Sequence, residues 1–216
     1  YSEALDRHLE RFSDDPTADD AHFFKAYLEE QRLQATIALP LYLKVDDTHP
    51  RAAEAHAGAA RCYETILVRM RDKKLPTAEF EQTAIKTLKS LVPDPKESTE
   101  RLSITQTETA VHFAAILLLA EPPQFENAEA ILQIVIQSTA KIDEADSQRD
   151  RWLKLRQRAE SLQVVAMAGH GHPLEAERLI VSLAKASPRD LMVIVERLAP
   201  FVASQNRQRQ LQYVTL

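Results

Sequence analysis

Several groups of residues have types and spacings that could do chemistry. Gly169-His170-Gly171-His172 sets two imidazoles one residue apart, between glycines that would let the backbone bend around a metal ion. A stable zinc-class site takes three or four ligands, and no third ligand stands beside these two in the chain. The expectation is therefore a helix-to-helix turn with Gly169 as C-cap, Pro173 opening the next helix, and no metal or other cofactor. A metal-binding protein or enzyme using the His170/His172 turn is the alternative. Asp14-Asp15-Pro16-Thr17-Ala18-Asp19-Asp20 offers carboxylates that could hold magnesium, but only if they shared one helical face, and Pro16 breaks that face. Thr17 to Asp20 has capping-box spacing, and acidic residues at a helix start favour the positive end of its dipole.

Cys62 and His56 stand six residues apart, about 240° around a helix, so they do not face each other as nucleophile and base. The chain contains no Gly-rich phosphate loop, Gly-x-Ser-x-Gly elbow or His-Glu-x-x-His. No catalytic residue is assigned, and the chain reads as non-enzymatic. Arg149, Arg151, Lys154, Arg156 and Arg158 surround Trp152 and could meet phosphates, anionic lipid or an acidic peptide. Trp152 shares its helical face with Leu155, Ala159 and Leu162, which makes it a core residue rather than a base-stacking platform.

The elements that would carry these groups are helices. Average usage would put about fifteen glycines in a chain of this length, yet there are only Gly58, Gly169 and Gly171. Hairpins and strand-to-helix turns draw on glycine for positive φ, so sheet has little room here. No run approaches the eighteen or so apolar residues of a membrane-spanning helix. Cys62 is the single cysteine, which excludes an intrachain disulfide. Eleven acidic against five basic residues up to Pro50, and nine against eleven from Asp143 onward, argue against a nucleic-acid grip, which needs a domain-wide basic surface.

A pattern recurs along the chain: a small residue, a large apolar one four later, and another three after that. It reads Ala38-Tyr42-Val45, Ala84-Leu88-Leu91, Ala128-Leu132-Val135 and Ala176-Ile180-Leu183, and a proline closes three of the four. The spacing puts all three positions on one helical face, where the alanine admits a close neighbour. The alanines recur at 46, 44 and 48 residues. A second helix lies between successive copies, at about 53–70, 103–120 and 147–168. The 103–120 helix, apolar almost all round in its second half, is expected to be buried on two sides. This predicts an all-α chain without sheet, one segment with four antiparallel pairs at about 19–50, 51–95, 102–143 and 147–188. A leading helix and closing helices over 189–216 complete it.

Ile37-Ala38-Leu39-Pro40-Leu41-Tyr42, Pro50, Ala53-Glu54-Ala55-His56, Ala59-Ala60 and Tyr63 resemble the junction between two tetratricopeptide repeats. Phe125 to Leu132 and Pro173 to Pro188 resemble the second helix of such a repeat. The pairs are longer than the 34 residues usual in that family. The resemblance implies a right-handed α-solenoid whose first helices line a concave groove for a protein or peptide partner. By matching position the groove residues are Phe23, Tyr27, Glu54, Arg61, Glu64, Phe113 and Ser161, with Phe113 read as core. The implied function is a protein-interaction scaffold. A membrane-coat-like solenoid contacting an anionic surface through the 149–158 helix is the rival. Both ends read as cuts in a longer protein. The apolar face of Leu191, Ile194, Val195, Leu198, Phe201 and Val202, followed by Leu211, Val214 and Leu216, is expected to support self-association.

Overall fold

The computed structural model describes residues 2–13, 15, 17–92, 101–140, 142–143 and 145–186. These form nine α-helices and no strand: α1 Ser2–Arg11, α2 Ala18–Gln31, α3 Ala35–Tyr42, α4 Ala52–Asp72, α5 Ala78–Lys89, α6 Ile104–Leu119, α7 Phe125–Ser138, α8 Arg149–His170 and α9 Pro173–Ala186. The all-α expectation is met among the described residues. The closing segment 189–216, with its expected self-associating face, lies outside them. The chain divides into two compact units, Tyr1–Pro122 and Pro123–Leu216, so α6 and α7 of the expected third pair fall in different units.

In the first unit α2 packs on α3, α3 on α4, and α4 on both α5 and α6. The core is built from the small residues that the repeat pattern picked out and the large ones they admit. Ala38 and Ala84 are fully buried, as are Tyr42, Leu67 and Leu88. On α6 every residue from Thr107 to Leu117 is buried, as its all-round apolar second half requires. This helix starts on a true capping box: Ser103 accepts from the Gln106 amide, and the Gln106 side chain accepts from the Ser103 amide. The box expected at Thr17 does not form. Its hydroxyl instead donates to Asp15 at 2.6 Å and meets His8 Nε2 at 2.8 Å, which ties α1 to the start of α2.

In the second unit α8 packs on α7 and on α9. Ala128, Leu132 and Val135 of α7 are fully buried. Trp152, Leu155, Ala159 and Leu162 of α8 are buried too, with the Trp152 indole N–H donating to Asp146 at 3.1 Å. The end of α8 differs from the expectation in one respect. Gly169 lies inside the helix, and Gly171 is the C-cap, at φ +99 in the left-handed region that glycine enters without steric cost. Pro173 opens α9, where its missing amide costs nothing.

Gly58 exposes the logic of the α3–α4 packing. A Cβ placed there would lie 2.4–2.7 Å from carbons of the Tyr42 ring. Tyr42 is itself buried, and its hydroxyl donates to Glu30 at 2.7 Å, so the ring cannot swing away cheaply. Alanine at this helical position would gain about 1 kcal/mol of propensity over glycine. Overpacking against a fixed ring costs about 1–3 kcal/mol. The steric term should win. Gly58→Ala is expected to lower the urea midpoint, and a variant more stable than the parent would show that Tyr42 is free to move.

Candidate functional site

A polar constellation among the described residues of the first unit joins its long helices. Arg61 of α4 donates through Nε and Nη2 to the two oxygens of Glu30 on α2, at 2.6 and 2.9 Å. Its Nη1 donates to Glu108 on α6 at 2.7 Å. One turn further along the α4–α6 contact, Glu64 meets His112 Nδ1 at 2.6 Å. Spacings of three residues on α4 and four on α6 put both crosslinks on the same pair of faces. Burial alone would disfavour the guanidinium charge. The Glu30 hydrogen bonds and the Glu108 charge outweigh it, so Arg61 holds its proton more tightly than an ordinary arginine. Burial, and then the Glu30 hydrogen bond, raise Tyr42 above the usual phenol range.

Neither Cys62 nor His56 is poised for nucleophilic chemistry. Burial, reinforced by Glu30, pushes the Cys62 thiol up to about 12, so it stays protonated at neutral pH. His56 pairs with Asp47 at 3.0 Å.

The residues expected in a groove separate into distinct groups. Phe23 is buried, 5.9 Å from the Tyr42 ring and with the Arg51 guanidinium 5.2 Å above it. Phe113 is likewise core. Arg61 and Glu64 engage the inter-helix crosslinks, and the Ser161 hydroxyl donates to the Gln157 carbonyl at 2.9 Å. Tyr27 and Glu54 are exposed on α2 and α4. Of the basic residues on α8, Arg149, Arg151 and Lys154 are exposed, while Arg156 donates to Glu160 at 2.9 Å and Arg158 is half-buried.

In the second unit the His170/His172 turn gains a neighbour that the sequence does not put next to it. Glu129 of α7 lies 2.8 Å from His170 Nδ1 through Oε2, and 3.6 Å from His172 Nδ1 through Oε1. The two imidazole rings are 4.9 Å apart. Gly169 makes this approach feasible, because a Cβ there would lie 2.4 Å from the Phe125 ring. Phe125 and Glu129 stand four apart on one face of α7, so seating the ring on Gly169 brings His170 over the carboxylate. No periodic signal in the chain points to Glu129, which lies 41 residues before His170.

No protein-family model matches the chain, and comparison with curated proteins and with solved structures finds no similar protein.

Two expectations follow for the polar crosslinks. Arg61→Met removes the cation between two carboxylates and should cost about 2–4 kcal/mol, somewhat below a fully buried pair because water reaches the edge of the cluster. Arg61→Lys should recover only part of this, since one ammonium cannot reproduce the forked contact. Chemical denaturation of both variants checks the order. Glu81 supplies a pH handle. Burial raises its pKa, but hydrogen bonds from Thr77, Arg71 and the Glu121 amide, together with the Arg71 charge, hold it below the ordinary glutamate value. A depressed folded-state pKa adds stability above the unfolded value, near 4.3, that is lost as pH falls through the folded one. The stability gap between the parent and Glu81→Gln should therefore be full at neutral pH and shrink steadily below about pH 4.

Proposed function

We propose that the protein is a tetratricopeptide-like helical-repeat scaffold that holds a protein or peptide segment and catalyses no reaction. The observation that carries this reading is the Glu30–Arg61–Glu108 crosslink, because it joins α2, α4 and α6. These are the first helices of successive pairs in the sequence pattern, and their lateral alignment is what a helical repeat needs to present one continuous surface. The recurrence of Ala38, Ala84, Ala128 and Ala176, all buried, supports the same reading.

In this reading Phe23, Arg61 and Glu64 support the surface and do not touch the partner. Tyr27 and Glu54 touch it. Tyr27 is 47% exposed, and a rigid aromatic ring with a polar tip is a common anchor at protein interfaces. Contact through α8 is the membrane-coat alternative.

The test is photo-crosslinking from a benzoylphenylalanine placed at Tyr27, followed by titration of the captured protein against the purified chain. Tyr27→Ala with Glu54→Lys should weaken binding at least tenfold, about 1.4 kcal/mol, with helicity and melting unchanged. Failure to capture any protein at Tyr27 would defeat the proposal, as would a captured partner that binds the double variant as tightly as the parent. Flotation with anionic vesicles that is lost when Arg149, Arg151 and Lys154 become serine would move the contact to α8.

A further inference from the structure

Glu129, His170 and His172 are three side chains whose nitrogen and oxygen atoms can ligate a metal, and one such atom from each lies within 4.8 Å of the others. Hydrogen bonding explains only part of this arrangement. The Glu129–His170 contact at 2.8 Å is an ordinary hydrogen bond, but the Glu129–His172 separation of 3.6 Å is too long to be one. A four-coordinate ion with ligand bonds of about 2.0–2.1 Å sets its ligand atoms roughly 3.3–3.5 Å apart. The two carboxylate–imidazole spacings, one to each oxygen of Glu129, straddle that value. With all three ligand atoms within 4.8 Å of one another, side-chain rotations would bring carboxylate and imidazoles around one ion.

The backbone holds the three ligands from two directions. Gly169 seats the end of α8 on the Phe125 ring and so fixes His170 over Glu129. Gly171 has nothing within 4 Å of where its Cβ would be, so the position calls for glycine through its φ of +99. That left-handed turn, closed by the His172 amide donating to the Met167 carbonyl at 2.9 Å, brings the second imidazole back beside the first. The ligands span the range from the largely covered Glu129, 18% exposed, to His172, 49% exposed, which leaves an approach for an ion and a place for water as the fourth ligand.

We propose that Glu129, His170 and His172 form a binding site for a borderline divalent transition metal such as zinc, which clamps the α8–α9 turn to α7. Two imidazoles and a carboxylate suit zinc, cobalt, nickel or copper. Magnesium and calcium, which take six or more oxygen ligands, are poorly matched. Binding to the folded chain alone stabilises it in proportion to the logarithm of free metal over Kd.

The test uses untagged full chain, stripped with chelator and dialysed, then titrated with zinc chloride by calorimetry and with cobalt chloride by visible absorption. One zinc per chain is expected, with a melting temperature that rises with zinc and returns on chelation. The cobalt complex should show the intense d–d bands of a four-coordinate site. Glu129→Gln and His172→Asn should each weaken zinc binding at least tenfold while leaving metal-free melting close to the parent. His172 lies on an exposed turn, so that variant keeps the test valid even if changes at Glu129 disturb the packing. Absence of stoichiometric zinc binding in the parent would overturn the proposal. So would zinc affinity unchanged in both Glu129→Gln and His172→Asn, or equal stabilisation by magnesium.

Discussion

The first unit depends on the placement of one guanidinium. Arg61 reaches α2 through two parallel hydrogen bonds to Glu30 and α6 through a third to Glu108. The planar fork of arginine permits this, since its donors leave in fixed directions and can satisfy two carboxylates approaching from opposite sides. Glu30 also takes the Tyr42 hydroxyl, so α3 joins the same network. The Tyr42 ring in turn presses on Gly58 and faces Phe23. A half-buried ion cluster loses in desolvation much of what it gains in attraction, so apolar burial supplies the larger share of stability. The network contributes direction. Sliding α6 by one turn along α4 would set Glu108 beside Glu64 or His112 beside Arg61, so the present register is the one that pairs opposite charges.

The three glycines show how little backbone freedom this fold uses. Gly58 and Gly169 both lie inside helices, at points where an aromatic ring from the neighbouring helix rests on the backbone. They are glycine for want of space. Gly171 is glycine for its φ, with open space where a side chain would be. Each close approach has a consequence one helical turn away. Tyr42 rests on Gly58 three residues before Arg61 and donates to the same Glu30 that Arg61 holds, and Phe125 on Gly169 brings Glu129 beneath His170.

The periodic part of the fold was legible from the sequence, and the parts that depend on partners far along the chain were not. Buried Ala38, Ala84, Ala128 and Ala176, the encased second half of α6 and the core role of Trp152 all follow from apolar spacing, which reports the buried face of a helix directly. Charged residues carry no such signal. Matching position alone puts Arg61 and Glu64 in a groove, and the chain offers no correction, since a polar residue facing solvent and one facing a complementary charge on another helix give the same amphipathic pattern. Their partners on α6 lie 47 and 48 residues away. The same blindness hid Glu129 from the two histidines. Local competition misled as well. Thr17 has the spacing of a capping residue, but its hydroxyl finds Asp15 and His8 nearer, and either of two glycines at the end of α8 could have been the cap.

The contrast between the two polar clusters separates structural charge from charge that is available for chemistry. In the first unit the hydrogen bonds of the Arg61 cluster serve the packing. Arg61 directs its donors to two carboxylates, Tyr42 donates to Glu30, and the burial that encloses them keeps Cys62 a thiol. A cluster so arranged cannot take a ligand without losing the contacts that align its helices. In the second unit one carboxylate faces two imidazoles, at 2.8 and 3.6 Å. His172 is half exposed on a turn that the φ of Gly171 shapes, with the His170 ring 4.9 Å away. Both imidazoles stand within ion-pair distance of Glu129, and the proposed metal site gives that shared approach a function.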